Sequence, residues 1–241
     1  MASTYRMFVN WQFDVSLPLA MIRMPQIGSG RLDGVAFRKW GLPWLPEDTL
    51  GARVHIDISM PPQEQVSRVA TLAPCYVNTL PSNVLRLGLA AQAAGARPHV
   101  PILISVAEYL ADEVRALAES TFASRVINIL SSSEGGVIAI ECPDSGMLHV
   151  QSESVLVEIL RDSGEPCAAG EVGEIVVTPL YNYATPLIRY RTGDYVERGP
   201  ACPCGRSLPT IRRIAGRREH MFRFPDGQRA IPAIEIGRAH V

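Results

Sequence analysis

The sequence predicts an α/β fold in which part of a parallel α/β layer is followed by a mostly antiparallel β-barrel or sandwich subdomain. From residue 50 to about residue 135, short apolar runs alternate with helical stripes, which is the pattern of βαβ units and a parallel sheet. Beyond residue 136, strand-like runs are separated by Gly and Pro turns, and no long helical period occurs before residue 232. Such a texture favours antiparallel strands. We therefore place the boundary near residues 137–147.

The first α/β elements have recognisable starts and stops. Residues 54–58 alternate and predict a strand, and Pro61-Pro62 then opens a helix, because proline suits a first helical turn. Residues 76–80 predict the next strand. Pro81-Ser82 is expected to cap a helix that continues to about residue 94, where Gly95 ends it.

The remaining elements follow from apolar spacing. Residues 100–104 are apolar throughout, as a buried parallel strand would be, and residues 125–130 predict the next strand. The spacing between them predicts a helix with an apolar stripe at Val106, Leu110, Val114 and Leu117. Strand-like runs in the second part cover residues 148–160 and 173–178. Residues 1 to about 50 have no assignable pattern, but three tryptophans predict a packed, irregular region: Trp11, Trp40 and Trp44.

Composition excludes several classes of protein. The 241 residues are 47% hydrophobic, which suits one large or two small globular domains. A net charge of −1 provides no electrostatic footprint for nucleic acid or an anionic membrane. No apolar run reaches membrane-spanning length and no signal peptide is recognisable, so a cytoplasmic protein is expected. Five cysteines in a chain of this length are no disulfide scaffold. Oligomeric state is left open.

The segment Pro186–Asp194 is typical of a nucleotide-binding motif. A strand-like apolar run precedes Asp194, which follows a tight Thr-Gly turn, and Arg189 and Arg191 lie just upstream. An ionised aspartate can accept hydrogen bonds from both hydroxyls of a ribose, and guanidinium groups favour phosphate. A second Gly-Arg turn follows at Gly216-Arg217.

The polar segment Ser131–Gly136 is the second candidate site. It follows a predicted parallel strand, and ligands of open α/β sheets bind at the carboxyl ends of strands. The carboxylate of Glu134 could there hold Mg²⁺ that bridges nucleotide phosphates. A polar turn capping a helix is the alternative, and the segment by itself favours it.

Four residues have the chemistry of a closed metal site: Cys142, His149, Cys202 and Cys204. Three thiolates and an imidazole satisfy tetrahedral Zn²⁺, and a site with four protein ligands is structural rather than catalytic. Unrelated buried cysteines and an exposed histidine are an equally good interpretation, because C-x-C is less diagnostic than C-x-x-C. Cys75 and Cys167 lack such neighbours and are expected in the core or in loops.

Together these motifs resemble the phenylacetate–CoA ligase family of AMP-forming adenylating enzymes, which includes CapK-like relatives. The likeness is dense over residues 126–227, and its motifs are Ser131–Gly136, Cys142-Pro143, Leu148–Val150, Gly170–Glu174, Pro179–Asn182, Pro186–Asp194, Cys202–Arg206, Gly216-Arg217 and Pro225–Gly227. A weaker likeness includes Trp40–Pro43, Glu64-Gln65 and Pro81–Asn83.

The resemblance implies a role for each site residue. Glu134 would coordinate Mg²⁺, with Ser132 and Ser133 beside it in the nucleotide-binding set. Asp194 would bind the ribose hydroxyls of ATP, and Arg217 would contact the phosphates. The hinge of a small C-terminal domain would lie at Glu219, where the family usually has Asp. The four Cys/His residues would form a structural zinc site.

The resemblance also implies a reaction. A carboxylic acid attacks the α-phosphate of ATP to give an acyl-adenylate and pyrophosphate, and the thiol of coenzyme A then displaces AMP. One departure is Leu130, which occupies the position of an aromatic residue that packs on adenine in the family. The residues do not identify the acid. Two alternatives stay open: a non-catalytic nucleotide-binding or zinc-stabilised module, and an adenylating transferase with an amine or sugar acceptor.

The resemblance predicts four segments. Residues 1–136 would form a partial α/β subdomain, 137–216 a β-rich subdomain with the zinc site, and 217–235 the hinge and the start of a C-terminal domain. Residues 236–241 read like a translated sequencing adapter. The family's phosphate loop is expected upstream of residue 1 and its catalytic lysine downstream of residue 235. We therefore expect the 241-residue chain alone not to catalyse carboxylate-dependent exchange of pyrophosphate into ATP.

Overall fold

The computed structural model describes residues 2–24, 36–218, 222–223 and 229–230. The chain divides into two compact units. The first comprises Met1–Ser131 with Ile140–Pro143, and the second comprises Ser132–Ala139 with Asp144–Val241. Among the described residues, no helix combines the length and the apolar character needed to cross a bilayer.

The first unit contains a mostly parallel sheet with helices. In chain order its elements are α1 (Ala2–Asn10), β1 (Leu19–Arg23), β2 (Ala36–Lys39), β3 (Ala52–Asp57), α2 (Pro62–Leu72), β4 (Tyr76–Thr79), α3 (Pro81–Ala93), β5 (Ile102–Val106), α4 (Asp112–Phe122) and β6 (Arg125–Ser132). The strand order is β2-β3-β1-β4-β5-β6. All neighbours pair in parallel except β2, which pairs antiparallel with β3 at the edge.

Residues cover both faces of this sheet, as is typical of parallel strands. Leu103 and Val126 pack on one face with residues of α2, α3 and α4. Ile102 and Ile127 pack on the other face with Trp11 and other aromatic residues. Trp40 is buried like Trp11, but Trp44 is 58% exposed, so the predicted packing of all three tryptophans is wrong for the last of them.

Two helix boundaries differ from prediction. Helix α4 begins at Asp112, so Val106 ends β5 and Leu110 lies in the connection. The apolar spacing was misleading because Leu110 is buried without being helical. Helix α3 has Pro81 in its first turn and no side-chain cap from Ser82. Instead the carboxylate of Glu108 accepts hydrogen bonds from the backbone N–H and the hydroxyl of Ser82, at 2.8 and 3.0 Å.

The second unit is an antiparallel sheet, which confirms the predicted fold class. Its strands are β7 (Gly136–Glu141), β8 (Leu148–Val150), β9 (Val155–Leu160), β10 (Val172–Pro179), β11 (Tyr190–Arg198) and β12 (Thr210–Arg217). The last five lie in the order β8-β12-β11-β10-β9, and every neighbouring pair is antiparallel. A separate short pair consists of β13 (Phe222–Arg223) and β14 (Arg229–Ala230).

Candidate functional site

Asp194 lies on a bulge inside β11, and not on the turn that the Thr-Gly sequence predicted. The register changes from Glu174↔Tyr195 to Val176↔Arg191, so a step of two residues on β10 matches a step of four on β11. Gly193 has φ +78°, a conformation that L side chains rarely adopt. Bulges redirect a side chain out of the regular alternation and are common next to active sites. The backbone of β11 therefore sets the direction of Asp194.

Arg217 is the register partner of Asp194 on β12, where the sequence predicted a second turn. Its Nε donates a hydrogen bond to Oδ1 of Asp194 at 2.9 Å. The Asp194 side chain is 13% exposed and that of Arg217 is 55% exposed. The structure thus joins the two residues predicted to bind ribose and phosphate, as an ion pair at the surface of the sheet.

Glu134 lies in the tight turn that connects β6 to β7. The polar-turn alternative had expected a helix here, but a strand follows. The hydroxyl of Ser132 accepts a hydrogen bond from the backbone N–H of Gly135 at 2.8 Å and closes the turn. Ser133 is exposed and Glu134 is half-buried. The carboxylate of Glu134 is therefore presented on a hairpin whose shape is fixed by its neighbour.

Tyr190 connects the two candidate sites, and sequence reasoning missed it. Its hydroxyl donates a hydrogen bond to Oε1 of Glu134 at 3.3 Å. Tyr190 is the first residue of β11, four positions before Asp194, which is at most about 13 Å along a strand. A phenol within the Pro186–Asp194 motif was the available signal, but its partner lies 56 residues away in sequence.

The two arginines upstream of Asp194, Arg189 and Arg191, both contact carboxylates. Arg189 donates hydrogen bonds to both carboxylate oxygens of Glu158, at 3.0 and 3.1 Å. Arg191 donates one to Glu174, whose side chain is 4% exposed. A bidentate pair and a buried pair both hold a guanidinium in place. These arginines therefore stabilise the strands around the bulge.

The four predicted metal ligands lie together. One ligand atom from each of Cys142, His149, Cys202 and Cys204 lies within 4.8 Å of all the others. Three of the residues are buried and Cys204 is half-buried. His149 Nε2 is 3.3 Å from Cys204 Sγ. The alternative of unrelated cysteines and an exposed histidine is therefore wrong, and three thiols with one imidazole fit tetrahedral Zn²⁺.

Of the remaining residues singled out in the sequence, some are buried and others lie outside the described part of the chain. Cys75 and Cys167 are buried and are not in the metal-ligand cluster. Burial raises the pKa of the Cys75 thiol to about 12. Leu130 is 7% exposed. Glu219, proposed as the hinge, and residues 236–241 lie outside the described residues.

Curated relatives match most of the chain. No protein-family model matches it. It is 29% identical over 159 residues to a phenylacetate-coenzyme A ligase of Thermus thermophilus, covering 64% of this chain and 35% of that protein. A phenylacetate-coenzyme A ligase of Escherichia coli is 28% identical over 183 residues, with 73% and 41% covered. Protein CapK of Staphylococcus aureus is 33% identical over 113 residues, with 46% and 24% covered.

Solved structures show the same fold. A 2-hydroxyisobutyryl-CoA ligase in an open conformation, in complex with 2-HIB-AMP and CoA, has a TM-score of 0.73 at 16% identity, covering 96% of this chain and 55% of that one. The same ligase in the postadenylation state has a TM-score of 0.75 at 18% identity, with 95% and 49% covered. An ATP-bound RpMatB-BxBclM chimera has a TM-score of 0.64 at 13% identity, with 96% and 46% covered.

These comparisons confirm the resemblance found in the sequence. The chain spans 35 to 41% of the length of the phenylacetate-coenzyme A ligases that it matches. It has the fold of adenylating CoA ligases and is a relative of proteins named phenylacetate-coenzyme A ligase and CapK.

Proposed function

We propose that this chain is part of an ATP-dependent acyl- or aryl-CoA ligase. The observation that supports it best is the bulge on β11, which places Asp194 beside Arg217, while Tyr190 of the same strand contacts Glu134. The enzyme would convert a small-molecule carboxylic acid into an acyl-adenylate with release of pyrophosphate. The thiol of coenzyme A would then displace AMP. Relatives named phenylacetate-coenzyme A ligase support an aromatic acid as the first substrate to test.

Each site residue has a chemically suitable part in this reaction. Asp194 would accept hydrogen bonds from the ribose hydroxyls, and Arg217 beside it would contact phosphate while balancing the carboxylate charge. Glu134, with Ser132 and Ser133 in the same turn, provides the hard oxygen ligands that Mg²⁺ prefers. That ion, when bound, would neutralise charge on the phosphates. Glu219 stays a prediction for the hinge.

Positioning and electrostatics would provide most of the rate acceleration, as in other transfers at phosphorus. The role of this chain is to hold the nucleotide at its ribose and phosphates so that the α-phosphate faces the incoming carboxylate. Tyr190 links the Glu134 turn to β11, the strand that also contains Asp194.

We further propose that Cys142, His149, Cys202 and Cys204 hold a structural Zn²⁺. Four protein ligands leave no open coordination position for a substrate, and metal binding of this kind contributes to folding. All five cysteines of the chain are free of disulfides, as is usual in the reducing cytoplasm. The free cysteines support our proposal that the enzyme is cytoplasmic.

Nucleotide titration of the purified chain tests the ribose role. Mg·ATP and Mg·2′,3′-dideoxyATP are compared by isothermal titration calorimetry. We expect the chain to bind ATP about 10- to 100-fold more tightly, because hydrogen bonds to a charged group contribute about 1.5–3 kcal/mol. Asp194→Asn should remove most of this preference, and Asp162→Asn, an exposed aspartate in the β9–β10 connection, should retain it.

Each failure has a separate meaning. Equal affinity of the unsubstituted chain for both nucleotides would refute the ribose role of Asp194. Absence of saturable ATP binding would refute the proposed function itself.

A transferase with an amine or sugar acceptor is the second candidate, favoured by the 33% identity to CapK over 113 residues. Synthetic phenylacetyl-AMP is offered to the whole enzyme of which this chain is proposed to be part, together with coenzyme A, primary amines or sugars, and the acylated product is identified by mass spectrometry. A non-catalytic module is the third candidate, favoured by the aliphatic side chain of Leu130. Tight binding of acyl-AMP by the whole enzyme of which this chain is proposed to be part, without transfer to any acceptor, would support it.

A further inference from the structure

Ser145 lies in the connection between Cys142 and His149 and contacts a metal ligand without being one. Its Oγ is 3.1 Å from Sγ of Cys202, a residue 57 positions away in sequence. The same Oγ accepts a hydrogen bond from the backbone N–H of Met147 at 3.3 Å. A hydroxyl has one proton and two acceptor lone pairs, so Ser145 can accept from this amide and still donate to the sulfur. A metal-bound thiolate has no proton, so in a zinc-loaded site the Ser145 hydroxyl would be the donor to Cys202.

The loops around this contact are connected by an ion pair. Arg206, two residues after Cys204, donates a hydrogen bond to Oδ2 of Asp144 at 3.0 Å. Asp144 precedes Ser145 directly, so the ion pair joins the connection that contains the serine to the loop that contains two of the cysteines. The Asp144–Arg206 ion pair before Ser145 and the hydrogen bond from Met147 after it together position the hydroxyl.

We propose that Ser145 is a positioning residue of the metal centre, donating an O–H···S hydrogen bond to the Cys202 thiolate. The proposal deepens the zinc site proposed above and rests on it. Three thiolates and a divalent ion leave a net charge of −1, and a buried anion needs hydrogen-bond donors around it. Hydrogen bonds from outside the ligand set orient metal ligands and typically change metal affinity 10- to 100-fold.

Zinc affinity of an isosteric pair of variants tests this role. Ser145→Thr keeps a hydroxyl, whereas Ser145→Val replaces that hydroxyl with a methyl group of similar size. The zinc dissociation constant of each full chain is measured by competition with a chromogenic chelator. We expect Ser145→Val to bind zinc about 10- to 100-fold more weakly than Ser145→Thr. Ser152→Ala, at an exposed serine after β8, should match the unsubstituted chain.

Cobalt spectroscopy distinguishes a hydrogen bond from a general packing effect. Loss of a donor raises the energy of the sulfur lone pair, so the thiolate-to-cobalt charge-transfer band of Ser145→Val should shift to lower energy. The band of Ser145→Thr should stay close to that of the unsubstituted chain. Ser145→Ala gives a second comparison that does not depend on the tolerance of the site for a branched side chain.

Two outcomes would overturn different claims. Equal zinc affinity and equal band positions in the serine, threonine and valine proteins would refute the role of Ser145 and leave the zinc site intact. Absence of stoichiometric zinc binding by the unsubstituted chain would refute the metal site, whatever the Ser145 variants do.

Discussion

Glu174 contacts the Pro186–Asp194 motif and is one of its most deeply buried neighbours. The residue is 3% exposed and accepts a hydrogen bond from Arg191 of β11. A carboxylate at this depth is rarely found without a partner. Arg191 is itself half-exposed, so the guanidinium neutralises the carboxylate while it stays in contact with water. Arg191 of the Pro186–Asp194 motif therefore stabilises the pairing of β10 with β11.

We predict that Glu174→Gln lowers the free energy of unfolding by about 1–2 kcal/mol. Removing one partner of a fully buried ion pair costs about 3–5 kcal/mol, and the half-exposed Arg191 can recover hydration, which reduces the loss. Urea denaturation measures the change. Glu158→Gln is the matched control, because the Glu158 side chain is 31% exposed whereas that of Glu174 is 4% exposed, so its loss should be small. Equal losses in the two variants would contradict this assignment.

At the residue scale, the sequence predicted which side chains matter but not which of them meet. The types of Cys142, His149, Cys202 and Cys204 suit a zinc site, but their spacing left an even alternative, and the family resemblance favoured one cluster. The contact between Tyr190 and Glu134 has no such chemical signature. It joins residues 56 positions apart, and only the pairing of strands brings them together.

At the level of elements, the bulge on β11 determines where Asp194 points. Gly193 adopts φ +78°, and a Cβ added there would meet nothing within 4 Å. Any side chain at this position is therefore strained by its backbone alone. A substitution at Gly193 therefore tests backbone strain without steric overlap.

We predict that Gly193→Ala destabilises the fold by about 1 kcal/mol, the usual cost of a left-handed L residue, and also weakens ATP binding. Relaxation of the strain would change the backbone next to Asp194. Gly164→Ala is the matched control, with φ +87° and nothing within 4 Å of its Cβ. It should lose similar stability in urea and keep its ATP affinity by calorimetry. Unchanged ATP affinity in Gly193→Ala would show that the backbone geometry of the bulge does not determine ATP binding.

Element boundaries were less predictable than element types. The helix predicted from the spacing of Val106 and Leu110 begins only at Asp112, because buried loop residues meet the same apolar core as helical ones. Ala107, between them, has φ +74°, which no helix contains. A single sequence shows no preference for such a conformation in alanine, so the break could not be foreseen.

At the scale of the whole molecule, the metal-ligand cluster joins distant parts of the chain near the pairing of β8 with β12. His149 is itself the register partner of Thr210. A structural metal stabilises a fold because the unfolded chain lacks the preformed site. Stability of this sheet should therefore depend on metal more than stability of the parallel sheet does.

We predict that removing zinc with a chelator accelerates amide hydrogen exchange in β8 and β12. Exchange in β4 and β5, which belong to the first unit, should change much less. Mass spectrometry of the zinc-loaded and chelated chains measures both regions, and adding zinc back should restore protection. Uniform acceleration across all four strands would contradict a local stabilising role.

The overall organisation was predictable because the spacing of apolar residues differs between the two parts of the chain. Alternating apolar runs and helical stripes before residue 135 indicated the parallel sheet, and Gly- and Pro-rich connections after residue 136 indicated the antiparallel one. The first 50 residues were not assignable, since the burial of Trp11 and Trp40 depends on the sheet that they cover and not on any local period.

At the bulge, β11 has two more residues than the matching part of β10. This excess restricts which deletions the strand can tolerate. Because side chains alternate along a strand, loss of one residue at the bulge would move Tyr195 and Val196 to the opposite face of the sheet, and both are buried. Loss of Thr192 and Gly193 together would restore the alternation and leave a regular strand. That shortened chain should still fold, but it would lack the bulge that directs Asp194. A deletion of two residues here would therefore preserve the fold more easily than nucleotide binding.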